Sequence, residues 1–276
     1  MNAVAMVFVT TDEGRVLMSA IESLYATRTR RPLEIVVIDN ASSDGAAARM
    51  TRRWPEIQIL RQPRRSGLPT NLNRGIRATV SPYMMLCNPD LIFQHAAVDV
   101  LADFLDSHPG AGIAAPRLMW ADGTPRPSAR RWYTARHLIA LKLPWTQNPP
   151  SPAIRDSVYD DWDHRAPRSV DWVPCPATMI RRAALDEVGL MDERFRLYFD
   201  DVDLSLRMHE GGWEVWCVPD AKVVHLEQRA SVRPLTTQWR WHLVSLTKFW
   251  WKHRGLRPRR LPGDRVGARN GAERHS

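Results

Sequence analysis

Apolar runs typical of buried strands alternate with helix-spaced segments through the first part of the chain. Strands are predicted at residues 4–9, 33–38, 57–60 and 83–87, and helices at 16–26, 68–78 and 96–107, with another ending near residue 54. Such alternation joins parallel strands by right-handed crossovers, so that helices cover both faces of a mainly parallel sheet. The pattern therefore predicts an α/β fold, and a ligand site at the carboxyl ends of its strands.

Three polar clusters stand where the predicted strands end. They are Thr10-Thr11-Asp12, Asp39-Asn40 and Asn88-Pro89-Asp90. We expect them to converge on one edge of the sheet, which packing alone does not require. The first strand is followed by neither a Gly-x-Gly-x-x-Gly turn nor a Walker loop, which argues against an NAD enzyme and a P-loop nucleotide hydrolase.

Composition places the chain among globular proteins of a reducing compartment. Its 276 residues, 44% of them hydrophobic, suffice for one large α/β domain or two small ones. There is no run of eighteen apolar residues, and residues 1–7 are predicted as a first strand rather than a signal peptide. The three cysteines, Cys87, Cys175 and Cys217, are odd in number and widely spaced, which predicts a cytoplasmic protein without disulfides or a zinc site.

Positive charge is concentrated at the C-terminus. The net charge is +9, and from Lys252 to Ser276 there are eight Lys or Arg residues and two acids. Residues 256–276 are also poor in apolar side chains, so a disordered tail is predicted. Such a tail can bind nucleic acid or anionic lipid, or it can simply keep the protein soluble.

The second half of the chain is less regular. Residues 125–168 are rich in proline and tryptophan, which predicts long loops with one helix at 136–143. Ordered structure is expected again at 170–180, followed by a helix at 182–188, strands at 213–218 and 222–225, and a tryptophan-rich helix at 236–253.

Three carboxylates within four residues mark the most unusual segment. Asp200, Asp201 and Asp203 follow Tyr198-Phe199 and precede a helical pattern at about 202–210. Like charges this close repel one another unless a cation, a helix N-terminus or a proton-transfer role offsets the repulsion. One explanation is a helix cap made by Asp200 or Asp201, and the other is chemistry at these carboxylates.

The ordered motifs resemble family 2 glycosyltransferases of the GT-A fold, in the rhamnosyltransferase-like branch that builds bacterial cell-surface glycans. The resemblance covers about residues 4–225. It rests on Val-Val-Ile-Asp-Asn-Ala-Ser-Ser-Asp-Gly at 36–45, Leu-Cys-Asn-Pro-Asp at 86–90, Val-Asp-Trp-Val at 170–173, Tyr-Phe-Asp-Asp-Val-Asp-Leu at 198–204, and segments 67–75, 189–195 and 212–225. It implies a glycosyltransferase domain at 1–225, with a donor half at about 1–120 and an acceptor half at about 121–225. A helical extension at 226–255 and the tail would follow.

The resemblance implies a donor site for a nucleotide diphosphate sugar. Asp39 would bind the base, with Thr10 in the same pocket, and Asn73 and Asn88 would bind elsewhere on the donor. Asp90 would hold Mg²⁺ or Mn²⁺ against the diphosphate, with His225 as a second ligand. The alternatives are an Asx-turn or helix cap at Asp39, an Asn-Pro turn at Asn88 and a structural role for His225.

The resemblance also implies an inverting mechanism. Asp201 would be the general base that takes the acceptor hydroxyl proton, Asp200 would orient the acceptor, and Asp203 would serve the helix N-terminus. Asp171 and Trp172 would line the sugar or acceptor pocket, although a core tryptophan explains Trp172 equally well. Two departures from the family pattern bear on specificity: Pro174-Cys175-Pro176 replaces a glycine-containing turn, and Asp12 replaces an asparagine.

The implied reaction moves L-rhamnose from dTDP-β-L-rhamnose to a polyprenyl-linked or growing surface saccharide, with UDP-hexose donors as an alternative. The helix at 236–253, with Trp250 and Trp251 beside basic residues, suits an anionic membrane surface at the inner face of the cell membrane, but it can also simply close the domain. The alternatives to a glycosyltransferase are a nucleotidyltransferase and a basic RNA-binding protein. No nucleic-acid partner is expected.

Overall fold

The structure, a computed structural model, describes residues 1–142, 149–226 and 237–255. The predicted tail at 256–276 lies outside the described residues. The strands are β1 (Val4–Thr10), β2 (Leu33–Asp39), β3 (Gln58–Arg61), β4 (Tyr83–Cys87), β5 (Leu91–Phe93), β6 (Ala111–Met119), β7 (Pro125–Arg126), β8 (Arg168–Ser169), β9 (Ala177–Arg181) and β10 (Glu214–His225). The helices are α1 (Gly14–Ala26), α2 (Ala46–Arg53), α3 (Leu68–Arg77), α4 (Ala97–Ser107), α5 (Ala135–Lys142), α6 (Pro152–Ser157), α7 (Arg182–Val188), α8 (Asp200–Glu210) and α9 (Thr237–His253).

A mixed sheet forms the centre of the molecule. Its strands lie in the order β3-β2-β1-β4-β9-β6-β10-β5, with β7 beside β6 and β8 beside β10. β1 runs parallel to both β2 and β4, with Thr10 opposite Asp39 and Phe8 opposite Cys87. The polar residues that end these strands therefore reach the same edge, as the sequence predicted.

The second half of the sheet mixes directions. β9 is antiparallel to β4 and β6, whereas β6 and β10 are parallel to each other. The prediction of two strands at 213–218 and 222–225 was wrong, because both belong to β10. The pairing of β10 with β6 is irregular between Val218 and Lys222, where the apolar pattern is interrupted.

Apolar side chains fill both faces of the sheet. α1 and α4 cover one face, where Phe8, Leu17 and Leu101 are fully buried, and α3, α7 and α8 pack on the other. This explains why β1 and β4 are buried along their whole length. Among the described residues, no helix is long and apolar enough to cross a membrane.

A third cluster is largely aromatic and holds α9 against α8. It contains Phe199, Leu206 and Phe249, all nearly inaccessible to solvent. The inner face of α9 thus closes the domain, as one of the two interpretations of the tryptophan-rich helix proposed. α8 begins at Asp200, two residues earlier than predicted, so Asp200 and Asp201 lie in its first turn rather than before it.

Candidate active site

A cleft of about 960 Å³ opens at the carboxyl ends of β1, β2 and β4. The polar residues that line it come from several elements that are distant in sequence, which the sheet brings together. They are Thr11, Asp12, Glu13, Arg15, Asn40, Asp44, Arg49, Asn71, Asn88, Asp90 and His225. The predicted convergence of the three polar clusters is therefore present in the fold, with Asn40 as the member from the second cluster.

Asn88, Asp90 and His225 form one constellation on the cleft wall. The His225 Nε2 atom lies 3.2 Å from Asp90 Oδ1 and 3.4 Å from the Asn88 amide nitrogen. The antiparallel pairing of β10 with β5 sets His225 opposite Leu91, one residue beyond Asp90. The backbone N–H of Leu226 also donates to the Asp90 carbonyl, which fixes the two segments together.

This constellation fits a divalent cation in its ligand types and spacing. Two adjacent octahedral ligands at about 2.1 Å from a metal are about 3 Å apart, close to the 3.2 Å between the Asp90 and His225 atoms. The described residues hold no group of three or more His, Cys, Asp or Glu that could bind a metal by themselves. A cation here would therefore take its other ligands from a diphosphate and water, as Mg²⁺ commonly does.

Arg126 contacts the other side of the histidine ring. Its Nη1 lies 2.8 Å from His225 Nδ1, and its guanidinium group stacks over Trp120. A guanidinium can only donate, so Nδ1 accepts and a neutral ring carries its proton on Nε2, toward Asp90. A metal bound at Nε2 would require the ring proton to be on Nδ1, where it would face the Arg126 donor. We therefore expect metal binding to move Arg126.

Asp39 is held by internal contacts at the end of β2. Its Oδ1 accepts from the Ser42 N–H at 2.8 Å and its Oδ2 accepts from Arg61 Nε at 2.9 Å. The Asp39 carboxylate thus bonds the turn that follows β2, through the N–H three residues on, and a role in base recognition would use the remaining lone pairs. Thr10 lies directly beside Asp39, and its buried hydroxyl has no partner among the described residues.

Asn73 serves the interior of the protein. It is almost fully buried, its Nδ2 donates to the Met191 carbonyl and to Glu193, and its Oδ1 accepts from the Met191 N–H. These bonds use all of its polar atoms to hold α3 against the segment before α8. Asn71 borders the cleft, but its side chain is also fully buried and bonds to Gln62, Ser66 and Gly67.

The acidic pair begins α8 in an unusual backbone setting. Tyr198 and Phe199 both have left-handed backbones, with φ of 67° and 63°. This conformation costs bulky residues about 1 kcal/mol or more each, and the burial of Phe199 in the aromatic cluster offsets the strain. The turn places two consecutive carboxylates, Asp200 and Asp201, at the N-terminal end of α8, where the helix dipole favours negative charge.

The two carboxylates differ in their access to solvent. Asp200 is buried, with 4% of its surface exposed, whereas Asp201 is only partly buried. Burial, followed by repulsion from Asp201, raises the pKa of Asp200. Burial also raises the pKa of Asp201, although the Val202 N–H and the charge of Arg130 oppose the rise. The accessible member of the pair is therefore the one that is ionised more readily.

The Pro174-Cys175-Pro176 loop links the pair to the cleft. The Asn88 N–H donates to the Pro176 carbonyl at 2.7 Å, and the Cys175 backbone N–H helps to stabilise the Asp201 carboxylate. Adjacent residues of one short loop thus contact both Asn88 and Asp201. The segment that departs from the family pattern is thus the one that connects Asp201 to Asn88.

Asp203 does not share the environment of its neighbours. It is fully buried and binds Arg207 of α8 together with Lys252 and His253 of α9. Burial alone would raise the pKa of Asp203, but the hydrogen bond from His253 and the charges of Arg207 and Lys252 outweigh it and hold the pKa below its usual value. Asp203 does lie in the first turn of α8, as predicted, but its side chain mainly anchors α9.

Asp171 and Trp172 take part in packing. The Asp171 carboxylate accepts from the Trp132 N–H at 2.6 Å, and Trp172 donates its Nε1–H to the Arg131 carbonyl at 3.0 Å. Trp172 is 5% exposed and belongs to the aromatic cluster. The structure therefore favours the core interpretation of Trp172 over a sugar platform.

Comparison with known families decides the class of protein. The model of the family described as "Glycosyl transferase family 2" matches residues 6–189. The chain belongs to glycosyl transferase family 2. The resemblance inferred from the motifs is thereby confirmed, and the protein is a glycosyltransferase.

Curated relatives include a rhamnosyltransferase. Over 247 residues the glycosyltransferase is 29% identical to the N-acetylglucosaminyl-diphospho-decaprenol L-rhamnosyltransferase of Mycobacterium tuberculosis, with 84% of this chain and 78% of the relative covered. It is 22% identical over 241 residues to the O-antigen biosynthesis protein RfbC of Myxococcus xanthus, covering 83% of this chain but 18% of the larger protein.

Solved structures confirm the GT-A fold. A mannosyltransferase from Pyrobaculum calidifontis, in complex with GDP-mannose and Mn²⁺, superposes with a TM-score of 0.62 at 17% identity, covering 90% of this chain and 64% of that one. GalNAc-T7, with UDP, GalNAc and Mn²⁺, gives 0.66 at 15% identity, covering 91% and 49%. The glycosyltransferase thus spans about half to two thirds of these neighbours, and the likeness establishes the fold alone.

Sequence reasoning missed two arginines of the glycosyltransferase site. Arg126 contacts His225, and Arg130 lies near Asp201, where its charge opposes the rise in the pKa of that carboxyl. Both belong to the proline-rich segment 125–168, and neither is part of a motif. The only available signal was the length of that segment, since long loops inside compact domains are often functional.

Proposed function

We propose that this protein is an inverting, metal-dependent rhamnosyltransferase. It would move L-rhamnose from dTDP-β-L-rhamnose to a polyprenyl-linked or growing surface saccharide. The single observation that carries the proposal is the pairing of a partly accessible Asp201 with a buried Asp200, which the loop 174–176 links to Asn88. The name of the mycobacterial relative supports both the sugar and the lipid-linked acceptor.

Asp201 supplies the general base in this proposal. The acceptor hydroxyl must lose a proton as its oxygen attacks the anomeric carbon from the face opposite the leaving group. An ionised carboxylate that solvent can reach is able to take that proton, and a raised pKa makes it a stronger base than an ordinary aspartate. Arg130 keeps Asp201 ionised, since its positive charge favours the carboxylate.

Asp200 holds a proton close to the base. Its pKa is raised further above the usual value than that of Asp201, and it has less access to water. A protonated Asp200 can donate a hydrogen bond, so it can orient the acceptor without adding a second negative charge. The two neighbouring carboxyls thus take different roles because their environments differ.

The donor end of the site lies along the edge of the sheet. Asp90 and His225 would hold Mg²⁺ or Mn²⁺, which neutralises the charge that develops on the departing nucleotide diphosphate. Asn88 would offer its amide group to the ribose or phosphates, and Asp39 and Thr10 would recognise the base. UDP-hexoses are the second candidate donors, because GalNAc-T7 shares the fold and carries UDP. With a lipid-linked acceptor, the reaction would take place at the cytoplasmic face of the membrane.

Thermal unfolding in the presence of nucleotides tests the donor site. We expect dTDP with Mn²⁺ to raise the Tm by roughly 5–10 °C at saturating concentration, because a ligand that binds only the folded state stabilises it. EDTA and the Asp90→Asn substitution should each remove most of this increase. ADP with Mn²⁺ is the matched control. An equal response to every nucleotide, or no response to any, contradicts the proposed donor site.

The pH dependence of turnover tests the base. Burial raises the pKa of Asp201 above 3.8, so the base becomes protonated, and transfer fails, at a higher pH than for an ordinary aspartate. We expect kcat, measured with both substrates saturating, to fall on acidification with a midpoint clearly above 3.8. A profile that stays flat down to that value is incompatible with Asp201 as the base.

A further inference from the structure

The outward face of α9 combines aromatic and basic side chains. Arg240, Val244, Thr247, Trp251 and Arg254 are all exposed and follow the spacing of a single helix face, which continues past the end of α9. Trp251 is 75% exposed, and Trp250 and Val244 are about half exposed at 49% and 48%. From residue 237 to 254 the sequence contains no Asp or Glu.

A shallow groove of about 490 Å³ lies beside Trp251. Phe195 and Thr247 contribute to its lining, and three cations surround it: Arg194, Lys248 and Lys252. Lys248 donates to the Arg194 carbonyl at 2.6 Å. The nearby carboxylate of Asp192 is paired with Arg194 and Lys252 and is 11% exposed, so it offers little negative charge to a ligand.

The inner face of the same helix is joined to the active site. Ser245 donates to the carbonyl of Leu197, a residue that lines the cleft. Lys252 and His253 bind Asp203, less than one turn from the acidic pair. The helix α9 therefore connects its outer face to the wall of the cleft through Ser245 and Leu197.

We propose that this outer face, from Arg240 to Arg254, docks the enzyme on a bilayer that contains anionic lipids. Exposed tryptophans favour the membrane–water interface, and Lys and Arg beside them are attracted to anionic headgroups. Charge complementarity selects a lipid surface over a second copy of the chain, because two such cationic faces repel each other. The docked enzyme presents its cleft to an acceptor whose lipid lies in the same bilayer, and this consequence rests on the proposed function.

Binding of the full-length protein to sedimented vesicles tests the proposal. We expect binding to vesicles of phosphatidylcholine with phosphatidylglycerol, and little binding to phosphatidylcholine alone. Lys248→Glu and Trp251→Ser should each weaken binding to the mixed vesicles by about fivefold or more. Arg52→Glu is the matched control, since Arg52 is an exposed arginine of α2, and it should bind like the unmodified protein.

The outcomes separate docking from catalysis. Binding that is unchanged in both α9 variants, or that is equal on the two kinds of vesicle, overturns the docking proposal. So does self-association through α9, seen as sedimentation without lipid that Trp251→Ser abolishes. Transfer to a water-soluble acceptor analogue should persist in both variants, because neither residue touches the acidic pair. Loss of vesicle binding with intact transfer therefore supports docking, whereas absent transfer with intact vesicle binding counts against the proposed function alone.

Discussion

Asp201→Asn is expected to lower the rate of sugar transfer by about 10²–10⁴-fold while nucleotide binding stays nearly intact. The substitution preserves the shape of the side chain and removes only its ability to accept a proton. Its contacts with the Val202 and Cys175 N–H groups are compatible with an amide oxygen. The loss should therefore appear in kcat, measured with saturating donor, and not in the donor concentration needed for half saturation.

Two further substitutions show whether a loss of transfer in Asp201→Asn is specific to the Asp201 carboxylate. Asp200→Asn should retain transfer within about tenfold, because an amide resembles the protonated carboxyl that we assign to Asp200. Asp186→Asn makes the same chemical change at an exposed position of α7 and should have no effect. Near-normal turnover by Asp201→Asn together with loss of activity in Asp200→Asn would exchange the two roles.

Asp203→Ala is expected to destabilise the protein by about 3–5 kcal/mol. The carboxylate is fully buried and binds Lys252, His253 and Arg207, so its removal leaves Arg207 without its carboxylate partner and Lys252 with Asp192 alone. The measurement is the free energy of unfolding in denaturant. Hydrogen exchange of the α9 amides should also accelerate more than exchange in β1.

The stabilisation that Asp203 provides should decrease as the pH falls. The pKa of Asp203 is lower in the folded protein than its usual value, so its contribution to stability is present above that value and is lost as the pH falls. The difference from Asp203→Ala should therefore shrink in acid. Glu22→Ala is the control, since the Glu22–Arg53 pair is about half exposed and should contribute less than about 1 kcal/mol. Equal effects of the two substitutions would show that Asp203 does not anchor α9.

The sequence was most informative where local patterns agreed with the fold. β1, β2 and β4 are buried along nearly all of their length, so their continuous apolar runs identified them and their polar ends identified the cleft. β6 was missed, because its Ala-Gly-Ile-Ala-Ala-Pro sequence has few of the β-branched residues typical of strands. Its central place in the sheet comes from its pairing with β9 and β10.

Residue roles that depend on distant contacts could not be predicted. The two α9 partners of Asp203 lie 49 and 50 positions further along the chain, and no local spacing reveals them. Arg126 reaches His225 across 99 positions in the same way. The motif containing Asn73 pointed to the donor site, but tertiary packing placed both Asn71 and Asn73 inside the protein, where their amides bond to neighbouring segments.

The most direct test of the account is transfer from dTDP-β-L-rhamnose to a polyprenyl-diphosphate-linked N-acetylglucosamine acceptor in the presence of Mn²⁺. The account predicts a product in which rhamnose is linked with α configuration, formed by the unmodified protein and lost in Asp201→Asn. Folded protein that transfers no sugar from dTDP-β-L-rhamnose or from any UDP-hexose, or a product that retains the β configuration, would contradict it.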